Sequence, residues 1–354
     1  MTMTDWRDHL GRQGLTPGAD AAVLSGPLPA SGCCDLDTLA LLVVAGPEAE
    51  SFLQGQLTCD VNRLAAGDVL PAAHLTPKGR AIASFLAWCV DDAFYLQFPR
   101  ALADPVTRRL RMFLMRSKVT IELAGDDLVR VGAWGAAAET AVTELVGALP
   151  DAPGRQLTGN GITVLRLPGT EPRLELLLPE ALANRVWEAL ETAGASACNE
   201  AAWRLLEIRN GIGWVRAETT ETFLPQMLNY DLTGGISFSK GCYVGQEVVA
   251  RLHHLGEVKR RAYPGTVPAP DAPLPGTALF SPGSSSRQGA GTIVDAIDTG
   301  AGTCAFLAVI ERQAQAAGEL HLGAADGPEV VLHQPPYPLV EAEQAGTPPG
   351  NEPA

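Results

Sequence analysis

Apolar residues recur along the chain in two periods that alternate in blocks. Leu39-Ala40-Leu41-Leu42-Val43-Val44 is a continuous apolar run of strand length, and Gly46-Pro47 with the acidic residues after it predicts a helix reaching Gln56. Strands are expected at 68–75 and 81–90 across the turn Thr76-Pro77-Lys78-Gly79, and a further strand at 93–98. Leu102, Val106, Leu110 and Leu114 repeat every four residues and predict an amphipathic helix over 101–115. The segment 118–123 reads as one more strand.

A second block begins after Asp126-Asp127, with a strand at 128–133, an Ala-rich helix at 135–148 and a Pro/Gly-rich segment at 149–161. Strands at 162–167 and 173–178 precede a helix at 180–193, and Trp203, Leu206 and Ile208 mark another helix within 198–211. Beyond 256 the character changes. Pro, Gly and Ser dominate 264–289, and short strands are expected at 289–297, 303–310, 318–322 and 328–333, the spacing of a small β-domain. Residues 1–35 show no clear period and are expected to be a loose lead-in, and the Glu/Gly/Pro-rich tail from 341 is expected to be disordered.

Composition narrows the function classes. The 354 residues exceed the usual limit of one core, so two or three domains are expected. The polar N-terminus and the lack of any apolar run of about 18 residues predict a soluble, cytoplasmic protein with no membrane partner. A net charge of −14 speaks against direct nucleic-acid binding, although Arg108, Arg109, Arg111, Arg116 and Lys118 crowd one stretch. The seven cysteines are scattered without C-x-x-C spacing, so neither a zinc site nor a disulfide framework is expected, and no metal ligands are assigned.

The stretch Gly234–Glu247 carries the candidate chemistry. Its glycines permit a tight loop, and GQEVVARL after it reads as a helix with Gln246 and Glu247 in the first turn. Cys242 then lies just before a helix N-terminus with Lys240 close in sequence. Both features favour a thiolate, so a reactive cysteine with a depressed pKa is the expectation. A glycine-rich turn around an inert cysteine is the competing structural reading.

The run from Lys240 to Arg251, K-G-C-Y-x-G-Q-E-x-x-A-R, resembles the signature of the YgfZ branch of the GcvT-like (aminomethyltransferase-like) folate-binding proteins. The signature covers Lys240, Gly241, Cys242, Tyr243, Gly245, Gln246, Glu247, Ala250 and Arg251. Phe52 through Val61, His74 through Arg80 and Pro336 through Leu339 resemble further blocks of that family, so the likeness spans about 36–340. It implies an α+β fold of three domains with antiparallel sheets and a C-terminal small β-barrel. The implied division is domain 1 at 36–125, completed by about 199–256, domain 2 at 126–198 and the barrel at 257–340. It also implies tetrahydrofolate, or a reduced derivative, as ligand. Trp203 matches a folate-contacting tryptophan of the family, Leu39 stands where some members carry a second, and Arg209 stands where many carry a glutamate.

The resemblance further implies support for the assembly or repair of iron–sulfur enzymes through Cys242, with assembly factors or cluster-containing clients as partners. A role in tRNA modification would then be indirect. Two alternatives stay open: an aminomethyltransferase of the glycine-cleavage type, and a folate-binding scaffold without thiol chemistry. The transferase reading lacks its acidic group, because the corresponding places fall at Ile82 and Ala83.

Overall fold

The computed structural model of the protein describes residues 6–16, 18, 22–284, 286 and 289–339, and the expected disordered tail from 341 lies outside them. The fold is mixed α+β and is built on three sheets dominated by antiparallel pairing. The first sheet orders its strands Leu70–Leu75, Ala81–Val90, Ala93–Pro99, Leu39–Ala45 and Thr120–Leu123. Every pair in it is antiparallel, with Leu42 opposite Leu96 and Trp88 opposite Tyr95. Its inner face packs under the helices Ala49–Gln56 and Ala103–Met112 through Phe52, Leu53, Phe85, Phe98 and Leu110. Phe85 and Phe98 meet edge to face, with ring centroids 5.3 Å apart.

The second sheet orders Ser196–Ala197, Gly32–Asp35, Leu128–Trp134, Arg173–Pro179, Ile162–Leu167 and Arg155–Gly159. Period-two alternation gives it two buried faces. Leu174, Leu176 and Leu178 turn to the helices Gly135–Val146 and Glu180–Thr192, while Leu177 turns to a core shared with Leu39, Leu41 and Trp88 of the first sheet. Arg173 and Glu175 lie on the Leu177 side, the wrong polarity for a buried face, and they reappear below as part of a cleft.

The third sheet joins Arg260–Pro268, Ala278–Phe280, Gly291–Asp298, Thr303–Glu311, His321–Leu322 and Val331–Leu332. Val330 N donates to Leu320 O and Leu322 N to Pro328 O, both at 2.9 Å, which links the two terminal strands and closes the sheet into a small barrel. The helix Glu200–Arg209 joins this barrel to the rest. Arg204 and Arg216 both grip Asp295 of the strand Gly291–Asp298, and all three side chains are buried.

The segment expected to be a loose lead-in is in part a structural component. Trp6–Arg12 is a helix, and Gly32–Asp35 is a strand paired on both edges. Trp6 Nε1 donates to Asp35 Oδ1, and Cys33 and Cys34 are both buried in that strand. A four-residue strand is too short to declare a period, which is why the sequence did not reveal it. Two more strands arise in Pro/Gly-rich sequence, Arg155–Gly159 and Arg260–Pro268. Pro264 takes part in that strand as an acceptor: His333 N donates to its carbonyl at 2.8 Å, next to the Gly265–Leu332 and Thr266–Val331 pairs.

Candidate functional site

The Lys240–Glu247 motif begins where the loop before it is laced to the segment 57–59. Thr58 Oγ1 donates to Gly235 O at 2.6 Å, and Ser237 N donates to Thr58 O at 2.9 Å. Lys240 Nζ donates to Leu57 O at 2.8 Å and to Cys59 O at 2.7 Å, and it lies 5.0 Å from the Tyr243 ring centroid. Burial pushes the Lys240 ammonium down to about 8, while Cys59 and Asp60 act in the opposite sense. Lys240 is therefore a clamp between two parts of the fold. The sequence places it close to the thiol, but the structure commits its ammonium to two carbonyls and a ring.

Beyond Lys240 the chain turns outward. Gly241 and Cys242 are exposed, whereas Tyr243 is buried and its N–H donates to Gln246 Oε1 at 3.3 Å. The helix Gln246–Leu255 starts behind Gly245, whose φ of +81° belongs to the left-handed region. A Cβ on Gly245 would stand 2.5 Å from Thr76 O, so the motif rests directly on the Thr76–Gly79 turn. Val249 anchors the helix inward, and Glu247 and Arg251 face solvent. Of the seven cysteines, Cys242 alone is exposed. Burial raises the other six thiols above their ordinary value and holds them protonated.

A cleft of about 480 Å³ opens on the other side of Gly234. Its apolar walls include Leu70, Phe85 and Leu228, and its polar groups include Arg173, Glu175 and Glu207, with Trp214, Tyr230 and Tyr337 beside them. Burial raises the Glu175 carboxyl to about 7, against the hydrogen bond it accepts from Gln97 Nε2 at 3.0 Å. Burial raises Glu207 as well, with the Arg173 guanidinium opposing. Arg173 spends Nη2 on Pro168 O at 2.7 Å. Among the described residues, its Nε and Nη1 and Glu175 Oε1 have no hydrogen-bond partner. Buried donors and acceptors left open in an apolar cleft are the features of a polar-ligand site.

The folate residues expected from resemblance fall in two places. Trp203 is 1% exposed and lies in one core with Leu39, Trp88 and Trp134. Gly132 leaves room for its ring, since a Cβ there would approach Trp203 to 2.6 Å. Trp203 meets the cleft-lining Arg173, whose guanidinium carbon sits 5.3 Å from its ring centroid. Leu39 is buried beside it, and Arg209 is exposed at the end of the helix Glu200–Arg209. The cleft-lining residues Arg173, Glu175, Glu207 and Trp214 were not anticipated. Their signal was available: Arg173 and Glu175 are charges two apart in the otherwise apolar strand RLELLL.

Residues 29–234, more than half of the chain, match the family model described as the GCVT N-terminal domain. The tRNA-modifying protein YgfZ of Klebsiella pneumoniae is 35% identical over 262 residues, covering 74% of this chain and 80% of that protein. The YgfZ of Enterobacter sp. is 38% identical over 226 residues, covering 64% of this chain and 68% of its own. Among solved structures, the glycine cleavage system aminomethyltransferase T from Bartonella henselae superposes with a TM-score of 0.60 at 15% identity, covering 86% of this chain and 85% of that one, which shows a shared fold. By family model, by relatives and by fold, this chain belongs to the YgfZ proteins of the GcvT-like family.

Proposed function

We propose that this chain is a reduced-folate-binding protein that supports the assembly or repair of iron–sulfur enzymes through the thiol of Cys242. The observation that carries the reading is the adjacency of two features. A cleft with open buried polar atoms on Arg173 and Glu175 shares Gly234 with the loop that leads to the one exposed cysteine. The donor set fits a pterin. Arg173 N–H groups would serve a ring carbonyl, Glu175 Oε1 would serve ring N–H groups, and Phe85 and Trp214 would supply apolar wall. Bound there, tetrahydrofolate would supply a one-carbon carrier. The protein's own part is to orient the ring by Arg173 and Glu175 and to keep water off it.

At Cys242 a thiolate suits iron ligation, and a single cysteine requires its other ligands from elsewhere. A cluster-containing tRNA-modification enzyme as client would make the role in tRNA modification, which the relatives' name carries, an indirect one. The aminomethyltransferase reading is the weaker alternative, because Ile82 and Ala83 offer no carboxylate.

The test has two arms. Tetrahydrofolate titrated into the purified protein should quench tryptophan fluorescence saturably, through Trp214 at the cleft. Glu175→Gln should weaken binding about tenfold or more, as expected for a charged hydrogen-bond partner. No saturable response in folded wild-type protein would end the folate reading. In a strain lacking the endogenous protein, the wild type should restore iron–sulfur enzyme activities and Cys242→Ser should not. Full rescue by Cys242→Ser would favour the scaffold.

A further inference from the structure

The helix Ala103–Met112 and the turn after it carry a surface that nothing in the folate cleft or the thiol motif uses. Met112 is 72% exposed, Phe113 36% and Met115 94%, in consecutive sequence around half-buried Leu114. Met115 also holds a φ of +44°, uncommon for a side-chain-bearing residue, which fixes the turn that presents it. Five cations flank these side chains in sequence, Arg108, Arg109, Arg111, Arg116 and Lys118, and Asp104 is the one acid in 103–118. Among the described residues none of the five forms an ion pair with a carboxylate side chain. Arg109 turns to His74 and Arg111 to Ile121 O, while Glu48 accepts from the backbone N–H of Lys118. This concentration of positive charge sits on a chain whose net charge is −14.

The patch is tied to the motif through the interior. The Phe113 ring packs edge-on to His74 at 6.0 Å, and the strand that carries His74 leads into the Thr76–Gly79 turn on which Gly245 rests. We propose that Arg108–Lys118 is a docking surface for a protein partner with an acidic rim around an apolar groove. Methionine, phenylalanine and arginine are the residue types enriched in protein interfaces, and flexible methionines suit a surface that accepts more than one partner. A nucleic acid would answer to the arginines alone. Methionine side chains at this exposure give phosphate nothing, whereas an apolar groove would bury them. The proposal does not depend on what the thiol does.

Met115 replaced by a photo-crosslinking phenylalanine derivative in the full chain, irradiated in cells, should give a discrete protein adduct, absent when the same group replaces exposed Glu144 on the far sheet's helix. The crosslinked protein, purified, is then titrated with two double variants. Met112→Ser/Met115→Ser and Arg108→Glu/Arg116→Glu should each weaken binding at least tenfold, and added salt should weaken the wild type. Thermal melts of both variants confirm folding. Adducts at Met115 no more abundant than at Glu144 would overturn the proposal. So would an adduct consisting of a second copy of this chain, or binding that the arginine variant loses and the methionine variant keeps.

Discussion

Arg109 Nε donates to Nε2 of His74 at 3.1 Å, and that bond settles the tautomer of a buried imidazole. With Nε2 accepting, the proton sits on Nδ1, which donates to Gln56 O at 3.1 Å. A neutral histidine thereby links the end of the helix Ala49–Gln56 to the helix Ala103–Met112. Burial pushes its pKa down from 6.5 to about 4. The bond to Gln56 opposes that fall, and the Arg109 charge adds to it.

The sign of the pH dependence follows. The unfolded imidazole takes a proton near pH 6.5, and the folded one takes it only near 4, so the His74 contribution is lost as pH falls through that window. The loss is about 3 kcal/mol. Glu175 and Glu200 act oppositely, because burial raises both to about 7 and the fold gains stability as they protonate on acidification. Urea denaturation of wild type and His74→Gln isolates the histidine. The variant should be less stable at pH 7.5, and the gap should close by about 3 kcal/mol at pH 4. A gap independent of pH would mean that His74 takes up its proton as readily in the native state as in the unfolded chain.

Much of this architecture was legible from periodicity. The strands 39–45, 81–90 and 162–167 and the helices 180–192 and 246–255 follow apolar spacing that burial rewards wherever they pack. What could not be read was long-range pairing. Gly32–Asp35 becomes a strand because Leu128–Trp134 and Ser196–Ala197 flank it, and the latter lies more than 150 residues away in sequence. The motif loop was legible by its glycines and its match to a signature, but the direction of Lys240 was not, because its partners are the carbonyls of Leu57 and Cys59. Trp203 stood out as an aromatic candidate, yet the second sheet covers it. Arg173 and Glu175, two positions apart on one strand face, are the residues that reach the cleft.

Asp295 binds the barrel to the helix Glu200–Arg209, and its removal should be costly. Burial alone would raise its carboxyl, but Arg216 and Arg204 outweigh burial and hold it down at about 2. Asp295→Asn removes the one carboxylate that both buried guanidinium groups grip, a change that costs about 3–5 kcal/mol. Chemical denaturation should show that loss at pH 7. The wild type should keep the carboxylate's contribution above pH 3.8 and lose it as pH falls toward 2. Stability within 1 kcal/mol of wild type would mean that the arginines find other partners or water.

Gly245 is the position where the motif loop tolerates no side chain. Its φ is +81°, and an added Cβ would meet Thr76 O at 2.5 Å, with Leu75 Cβ at 3.0 Å behind it. Gly245→Ala must therefore strain the backbone and push the loop off the Thr76–Gly79 turn, at a cost of about 1–3 kcal/mol. Gly241→Ala is the matched control, since a Cβ there meets nothing within 4 Å. Labelling reads the displacement directly. In native wild type, iodoacetamide should modify Cys242 and leave the six buried cysteines intact. Gly245→Ala should alter the Cys242 rate and, by loosening the Lys240 clamp on Leu57 and Cys59, admit label to Cys59, while Gly241→Ala should label as wild type does. Identical labelling and melting of Gly245→Ala and wild type would show that contact with the turn does not hold the loop. Modification of several cysteines in native wild type would instead mean that the buried thiols open to solvent faster than the reagent reacts.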